Sequence, residues 1–152
     1  MLFPNKSLPS PPPPPSDIIE PPKPVVLRYT NYNLQQLGEI ENPTLISTTG
    51  IVRGIVRKDY QIYGYLQNNE MLTEFYAWLK DNEERGESFI RTASDSGLPV
   101  IIRGEFPSRP PHHHGLRYIR EINIHTMKLG NIERQFYFSP EICARHLQQS
   151  EH

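Results

Sequence analysis

The sequence predicts a mostly β protein built around a small closed barrel, with one or two short helices. A hairpin from Leu98 to Leu129 is the first sign, because two β-rich runs flank a loop with three prolines, three histidines and a glycine. The second run, Leu116 to Leu129, is longer than most strands, as in small barrels with bent strands. The second sign is a β-branched run from Thr44 to Lys58, interrupted by Gly50 and Gly54. Glycine inside a strand often marks a bulge or a sharp bend.

The composition divides the 152-residue chain into four parts. Ten of its 16 prolines lie in residues 1–24, which predicts a disordered, extended arm in the polyproline II conformation. An alternative is that this arm binds an aromatic-lined groove of a protein partner. We expect residues 25–43 to be a lead-in that packs on the barrel, residues 44–130 to form the barrel, and residues 131–152 to add a strand and a helix.

Charge and cysteine content limit the class of protein. With 16 basic and 17 acidic residues, the chain lacks the clear excess of positive charge typical of strongly electrostatic nucleic-acid binders. Cys143 is the single cysteine, which excludes an intrachain disulfide and fits a reducing compartment. The sequence has neither an apolar run of membrane-spanning length nor a secretory signal, so we expect a cytoplasmic protein without a membrane contact.

The central segments, from Thr44 to Asp81, carry six of the chain's 15 aromatic residues. In the first strand, alternation predicts that Val52, Gly54 and Val56 share one face and that Arg53 and Arg57 share the other. In Asp59 to Gln67, Ile62, Gly64 and Leu66 point inward, which leaves Tyr63 and Tyr65 on the outer face. Met71 to Asp81 fits a helical stripe and a strand alternation equally well, so its own residues leave both open.

The remaining elements are shorter. Phe89, Ile90 and Ala93 share one helical face within residues 82–97, and Gly97 suits the end of that helix. After a turn at residues 130–131, we expect residues 134–138 to form a last short strand. Ser139-Pro140-Glu141 is typical of a helix start, and we expect Ile142, His146 and Leu147 on one side of this final helix.

This order of elements resembles the five-stranded OB fold, which has a helix between its third and fourth strands. It is similar in particular to bacterial single-stranded-DNA-binding proteins, over about residues 44–130. The resemblance is carried by TGIVRGIVRK (49–58), TEFYAWLKD (73–81), LPVIIRGEF (98–106) and LRYIREINIHTMKLG (116–130). It implies that Met71 to Asp81 is a strand, with Tyr76 and Trp78 facing outward beside Tyr63 and Tyr65. The family's acidic-aromatic C-terminal tip has no counterpart here, since the chain ends in HLQQSEH.

The resemblance implies non-catalytic binding of single-stranded nucleic acid in replication or repair, with DNA favoured over RNA as the ligand. Single-strand binders stack bases on aromatic rings and contact phosphates with cations. The predicted stacking residues are Tyr63, Tyr65, Tyr76 and Trp78, and the predicted phosphate contacts are Arg53, Arg57, Arg103 and Arg109. From residue 44 to residue 130 the charge is +1, with eleven basic and ten acidic residues, so we expect moderate, salt-sensitive binding.

Other functions have less support in the sequence. The motifs GxxxxGK[ST], GxSxG and HExxH are missing, so we expect neither an enzyme nor a cofactor. Adjacent histidines such as His112, His113 and His114 rarely converge on one ion, so no metal site is predicted; Cys143 is expected to be a packing residue. The alternative function is a protein–protein adaptor or accessory subunit that docks through the proline-rich arm or the final helix. The sequence leaves homo-oligomerisation open.

Overall fold

The structure is a computed structural model that describes residues 25–80, 84–109 and 120–149. Its strands are β1 (Thr30–Asn31), β2 (Thr44–Lys58), β3 (Gln61–Asn68), β4 (Met71–Trp78), β5 (Pro99–Phe106), β6 (Glu121–Leu129) and β7 (Ile132–Gln135). Its helices are α1 (Leu34–Leu37), α2 (Glu84–Ser96) and α3 (Pro140–Gln149). None of the helices in these described ranges has the length and apolar character needed to cross a membrane.

Five strands close into a ring in the order β2, β3, β4, β6 and β5. Neighbours pair antiparallel except β4 and β6, which are parallel, and β2 closes the ring by pairing with β5 as well as β3. Helix α2 lies between the third and fourth barrel strands in the chain. This is the OB architecture, so the predicted fold class is confirmed. The strand at residues 71–78, which the resemblance favoured over a helix, is confirmed too.

The barrel interior is filled by the aliphatic faces of all five strands and closed at one end by α2. The buried side chains from the strands include Ile46, Val52, Ile62, Leu66, Phe75, Ala77, Val100, Ile102, Phe106, Ile122, Ile124 and Met127. Helix α2 adds Phe89, Ile90 and Ala93, the residues predicted for its inner face. Gly97 ends this helix with a φ of 65°, a conformation that glycine adopts without strain.

Strand β2 contains a bulge that corrects one prediction about its faces. The register with β3 shifts between Arg53 and Val56, and Gly54 has a φ of 61°. An extra residue in a bulge reverses the alternation beyond it. Val56 therefore points outward and is 60% exposed, and Ile55 packs on the core in its place. The predictions that Val52 and Val56 share a face, and that Arg53 and Arg57 share the other, are wrong for this reason.

Both flanking segments pack on the barrel. In the lead-in, β1 pairs in parallel with β2, while Leu34, Leu37 and Ile40 are buried, as expected for a segment that packs on the barrel. At the other end, β7 pairs with β6 at residues 132–135 rather than at the predicted 134–138. In α3 it is Cys143 that is buried, whereas Ile142, predicted for the inner side, is 47% exposed.

Several predictions concern residues outside the described ranges. These are the proline-rich arm (1–24), the three histidines at 112–114 and the part of the second hairpin strand before Arg120. The described part of that hairpin agrees with the prediction, because β5 begins at Pro99 and pairs antiparallel with β6.

Gly104 lies at a close approach of β5 and β6. A Cβ atom there would overlap the backbone carbonyl oxygen of Asn123, which cannot move without breaking the ladder. We predict that Gly104→Ala lowers the free energy of unfolding by at least about 2–3 kcal/mol. Gly38→Ala is the matched control, because its nearest atom would be 3.7 Å away and its φ is −62°. Urea denaturation of both variants measures the difference, and equal stabilities would contradict the close approach.

Candidate functional site

The outer surface of β3 and β4 carries four aromatic side chains. We call Tyr63, Tyr65, Tyr76 and Trp78 the aromatic face. Tyr63 lies opposite Tyr76 across the two strands, with ring centroids 6.4 Å apart. Tyr76 and Trp78 are also 6.4 Å apart, with their rings at 84°. Tyr65 and Trp78 are 42% and 39% exposed, while Tyr63 and Tyr76 are half-buried. The predicted outward orientation of all four is confirmed.

Two cations border this face along β2. Arg53 lies directly opposite Tyr65, and its Nε donates a hydrogen bond to Oε1 of Gln67 at 2.9 Å. Lys58 lies opposite Gln61, which in turn lies opposite Trp78. Because directly opposed residues of paired strands point to the same side, both cations share the outer surface with the aromatic rings.

Acidic residues border the opposite side of the aromatic face. Glu74 on β4 lies opposite Glu121 on β6, and Glu105 on β5 lies opposite Asn123. Burial, followed by the nearby Glu74 carboxylate, raises the pKa of Glu121. Burial, and then the same acidic surroundings, also raise the pKa of Tyr76. Next to the aromatic face, the outer surface is thus positive at Arg53 and Lys58 on β2 and negative at Glu74, Glu121 and Glu105.

Arg57 does not lie with the aromatic face. Its partner across the ladder is Ile62, a fully buried residue, so Arg57 points to the interior side at the end of the barrel. There its Nη1 contacts Oε1 of Glu87 on α2 at 2.5 Å, while Arg91 donates to the other oxygen at 2.8 Å. These two hydrogen bonds lower the pKa of Glu87. Arg57 therefore fastens α2 to β2.

The other two predicted arginines also lie elsewhere. Arg103 is exposed on β5, with its guanidinium 6.0 Å from the centre of the Tyr29 ring. The backbone N–H of Arg109 donates to the carbonyl of Glu41 at 2.8 Å, and its side chain donates to that of Gly38. The structure thus brings together Arg53 and the four aromatic residues but separates them from Arg57, Arg103 and Arg109.

A cavity of about 380 Å³ lies next to the aromatic face, between the barrel and α3. Tyr76 and Trp78 form one side, and the C-terminal extension forms the other. Its polar lining consists of Glu105, Asn123, His125, Ser139, Cys143 and His146.

His125 occupies the floor of this cavity because it is an extra residue in β6. The register pairs Ile124 with Gly104 and Thr126 with Arg103, so His125 has no partner on β5. Its fully buried ring stacks on Phe138 at 3.7 Å, and a hydrogen bond of 2.7 Å joins its Nδ1 to the hydroxyl of Tyr29. Burial lowers the pKa of His125 to about 4, so the ring is neutral at physiological pH.

Cys143 and Glu105 complete the polar side of the cavity. Burial raises the pKa of the Cys143 thiol to about 12, with a further contribution from the Glu105 carboxylate, which accepts a hydrogen bond from the thiol. His146, one turn further along α3, places its Nδ1 3.1 Å from Oε2 of Glu105. The ligand atoms of Glu105, His125 and Cys143 all lie within 4.8 Å of one another. In the sequence, only residues 112–114 suggested a metal site, and no pattern connects Glu105, His125 and Cys143.

Lys58 and the acidic residues beside the aromatic face were not predicted from the sequence either. Gly54 could have indicated the position of Lys58. A bulge at that glycine places Lys58, rather than Arg57, on the outer surface. Glu74, Glu105 and Glu121 become neighbours only through the β4–β6 and β5–β6 pairings, which bring together residues up to 47 positions apart.

Comparisons with known proteins give distant similarities in structure only. No family model matches the chain, and no curated protein matches it. A putative aspartyl-tRNA synthetase from Leishmania major Friedlin has 10% identity and a TM-score of 0.46, over 72% of this chain and 21% of that one. An OBody, AM3L09, bound to hen egg-white lysozyme has 11% identity and a TM-score of 0.45, over 70% and 98%. A Replication Protein A heterotrimer bound to ssDNA has 15% identity and a TM-score of 0.41, over 74% and 84%.

The chain therefore spans about a fifth of the length of the synthetase. Its assignment to the OB class follows from its own ring of five strands. The narrower resemblance to bacterial single-stranded-DNA-binding proteins finds no family match.

The Arg57–Glu87–Arg91 contact gives a prediction about pH. A carboxyl with a lowered pKa stabilises the fold above its unfolded value of about 4.5, and this contribution disappears as the pH falls through the folded pKa. We expect Glu87→Gln to lower the free energy of unfolding by about 0.5–1 kcal/mol at neutral pH, with the difference vanishing in acid. Urea denaturation across pH checks this, with Glu70→Gln in the exposed β3–β4 turn as the control. A difference that persists in acid would mean that the effect is steric.

Proposed function

We propose that this protein binds single-stranded nucleic acid, DNA rather than RNA, on the aromatic face of its OB barrel, without catalysis. The observation that carries the proposal is the cluster of four outward aromatic rings beside Arg53 and Lys58. A flat π-face stacks on any base, and base–aromatic stacking contributes about 1–3 kcal/mol per base. Two of these rings are well exposed, so they offer stacking surface without a change in the fold.

The charge pattern determines on which side of the aromatic face the phosphates of the bound strand lie. Phosphates beside Glu74 and Glu121 would be repelled, whereas phosphates beside β2 would meet Arg53 and Lys58. We therefore propose that the sugar–phosphate backbone runs along β2, with the bases turned toward Tyr65 and the other rings. With few cations in contact, affinity is moderate and depends mainly on stacking.

Tyr65 and Trp78 allow a direct test of stacking. We expect oligo(dT) to quench the fluorescence of Trp78, the only tryptophan, with an affinity that falls at high salt. Tyr65→Ala should weaken binding by about 1–3 kcal/mol, because one stacking surface is lost. Ile132→Ala, on an exposed aliphatic residue of β7, is the control and should bind like the parent. Oligo(U) in parallel measures the preference for DNA, and no binding of oligo(dT) at low salt would refute the proposal.

Arg53 and Arg57 form a matched pair on the same strand. Arg53→Ala should weaken oligo(dT) binding and reduce the slope of log K against log salt by about 0.7, the value for one phosphate contact on a single strand. Arg57→Ala should lower the free energy of unfolding, because the ion pair with Glu87 is lost. It should leave the affinity of the folded protein for oligo(dT) unchanged. Fluorescence titrations at several salt concentrations, with folding checked by circular dichroism, distinguish the two. Equal losses of affinity would contradict the assignment of Arg57 to the fold.

A protein–protein adaptor is the second candidate function. Trp78, Tyr137 and Ile142 are 39%, 60% and 47% exposed around the cavity beside α3, and such apolar side chains also suit a protein interface. An adaptor would show no salt-dependent binding of oligo(dT), and Tyr65→Ala would leave its partner binding unchanged.

A further inference from the structure

We propose that Glu105, His125 and Cys143 form a binding site for a single transition-metal ion, with Zn²⁺ as the best fit. The three residues come from β5, the bulge of β6 and α3, and the fold brings their ligand atoms within 4.8 Å of one another. Zn²⁺ takes this combination of carboxylate oxygen, imidazole nitrogen and thiolate sulfur in tetrahedral sites. The proposal is independent of nucleic-acid binding.

The buried histidine is the observation that points to a ligand. His125 is fully buried, and its Nε2 has no hydrogen-bond partner among the described residues. A buried imidazole nitrogen without a partner is unfavourable, and a metal ion would satisfy it. Its other nitrogen, Nδ1, already bonds the Tyr29 hydroxyl at 2.7 Å. In metal sites the second nitrogen of a histidine ligand is held in this way, which fixes the tautomer and leaves the other nitrogen available to the ion.

The surroundings of the other two ligands are also suitable. Cys143 is buried, and its thiol proton would be released to solvent on binding, which leaves the thiolate as the ligand. His146 lies 3.1 Å from Oε2 of Glu105 and can orient that carboxylate from outside the site. Zn²⁺ ligands lie about 2.0–2.3 Å from the metal, so they are roughly 3.3–3.8 Å apart in a tetrahedron. A movement of the three ligand atoms toward one another by roughly 1 Å is enough to reach this geometry. The cavity leaves room for a water molecule as the fourth ligand.

Cobalt substitution tests the site in the full-length chain. Residues His112, His113 and His114 are replaced by asparagine, so that Co²⁺ held by these consecutive imidazoles does not add to the measured stoichiometry. In this background we expect one Co²⁺ per chain, with thiolate-to-cobalt charge-transfer absorption in the near ultraviolet and d–d bands of four-coordinate intensity. Zn²⁺ should displace the Co²⁺ and raise the melting temperature. The absence of the charge-transfer band overturns the proposal.

Two sets of variants distinguish a built site from adventitious binding. Cys143→Ser should abolish the charge-transfer band, and His125→Asn should weaken Zn²⁺ binding by at least about 10–100-fold. Tyr29→Phe keeps the ring but removes the hydroxyl that orients His125, and we expect a similar loss of affinity in a protein that still folds. Tyr137→Phe, at the exposed rim of the cavity, is its matched control and should bind Zn²⁺ like the parent. Equal affinity in Tyr29→Phe and the parent, or a band that survives Cys143→Ser, overturns the site.

Discussion

The fold depends on the way β2 divides its pairing between two neighbours. Residues 44–51 pair with β5, and residues 51–58 pair with β3, so a single strand closes the barrel. A strand can do this only if it coils sharply, and Gly54, with its positive φ, supplies the bulge that allows the change in direction. The same bulge decides which side chains of β2 reach the outer surface. Barrel closure and the position of Arg53 and Lys58 therefore have one structural cause.

The bulge in β6 has a comparable role on the other side of the barrel. It removes His125 from the pairing between β5 and β6. The His125 ring then lies between Tyr29 of the lead-in and Phe138 of the C-terminal extension. One inserted residue thus ties both flanking segments to the barrel. It also places His125, whose Nε2 has no hydrogen-bond partner in the described part of the chain, at the cavity that Cys143 lines. The aromatic face lies next to this cavity, since Tyr76 and Trp78 belong to both.

The alternation of apolar residues was sufficient to predict β3 and β5 and their inward faces. Strand β4, and with it Tyr76 and Trp78 on the aromatic face, followed only from the resemblance to the OB fold. The sequence failed where the alternation breaks, because Gly54 reverses the faces of β2 and separates Arg53 from Arg57. It also failed for a group of side chains that come from distant parts of the chain. Glu105, His125 and Cys143 meet only through the strand pairing and the docking of α3, and no local pattern connects them. Periodicity records the environment of each residue, whereas a site of this kind is a property of the topology.

Strand β1 is only two residues long, but its position affects whether the barrel can associate with other chains. At Ile46 and Ser47 one edge of β2 is paired with β5, and β3 has already ended on the other edge. Thr30 and Asn31 cover that second edge. Uncovered, the N–H and C=O groups there would form a template onto which an extended segment of another chain could add. The lead-in therefore protects this edge of the barrel against edge-to-edge association, and proteolytic removal of the short strand would expose a site for aggregation.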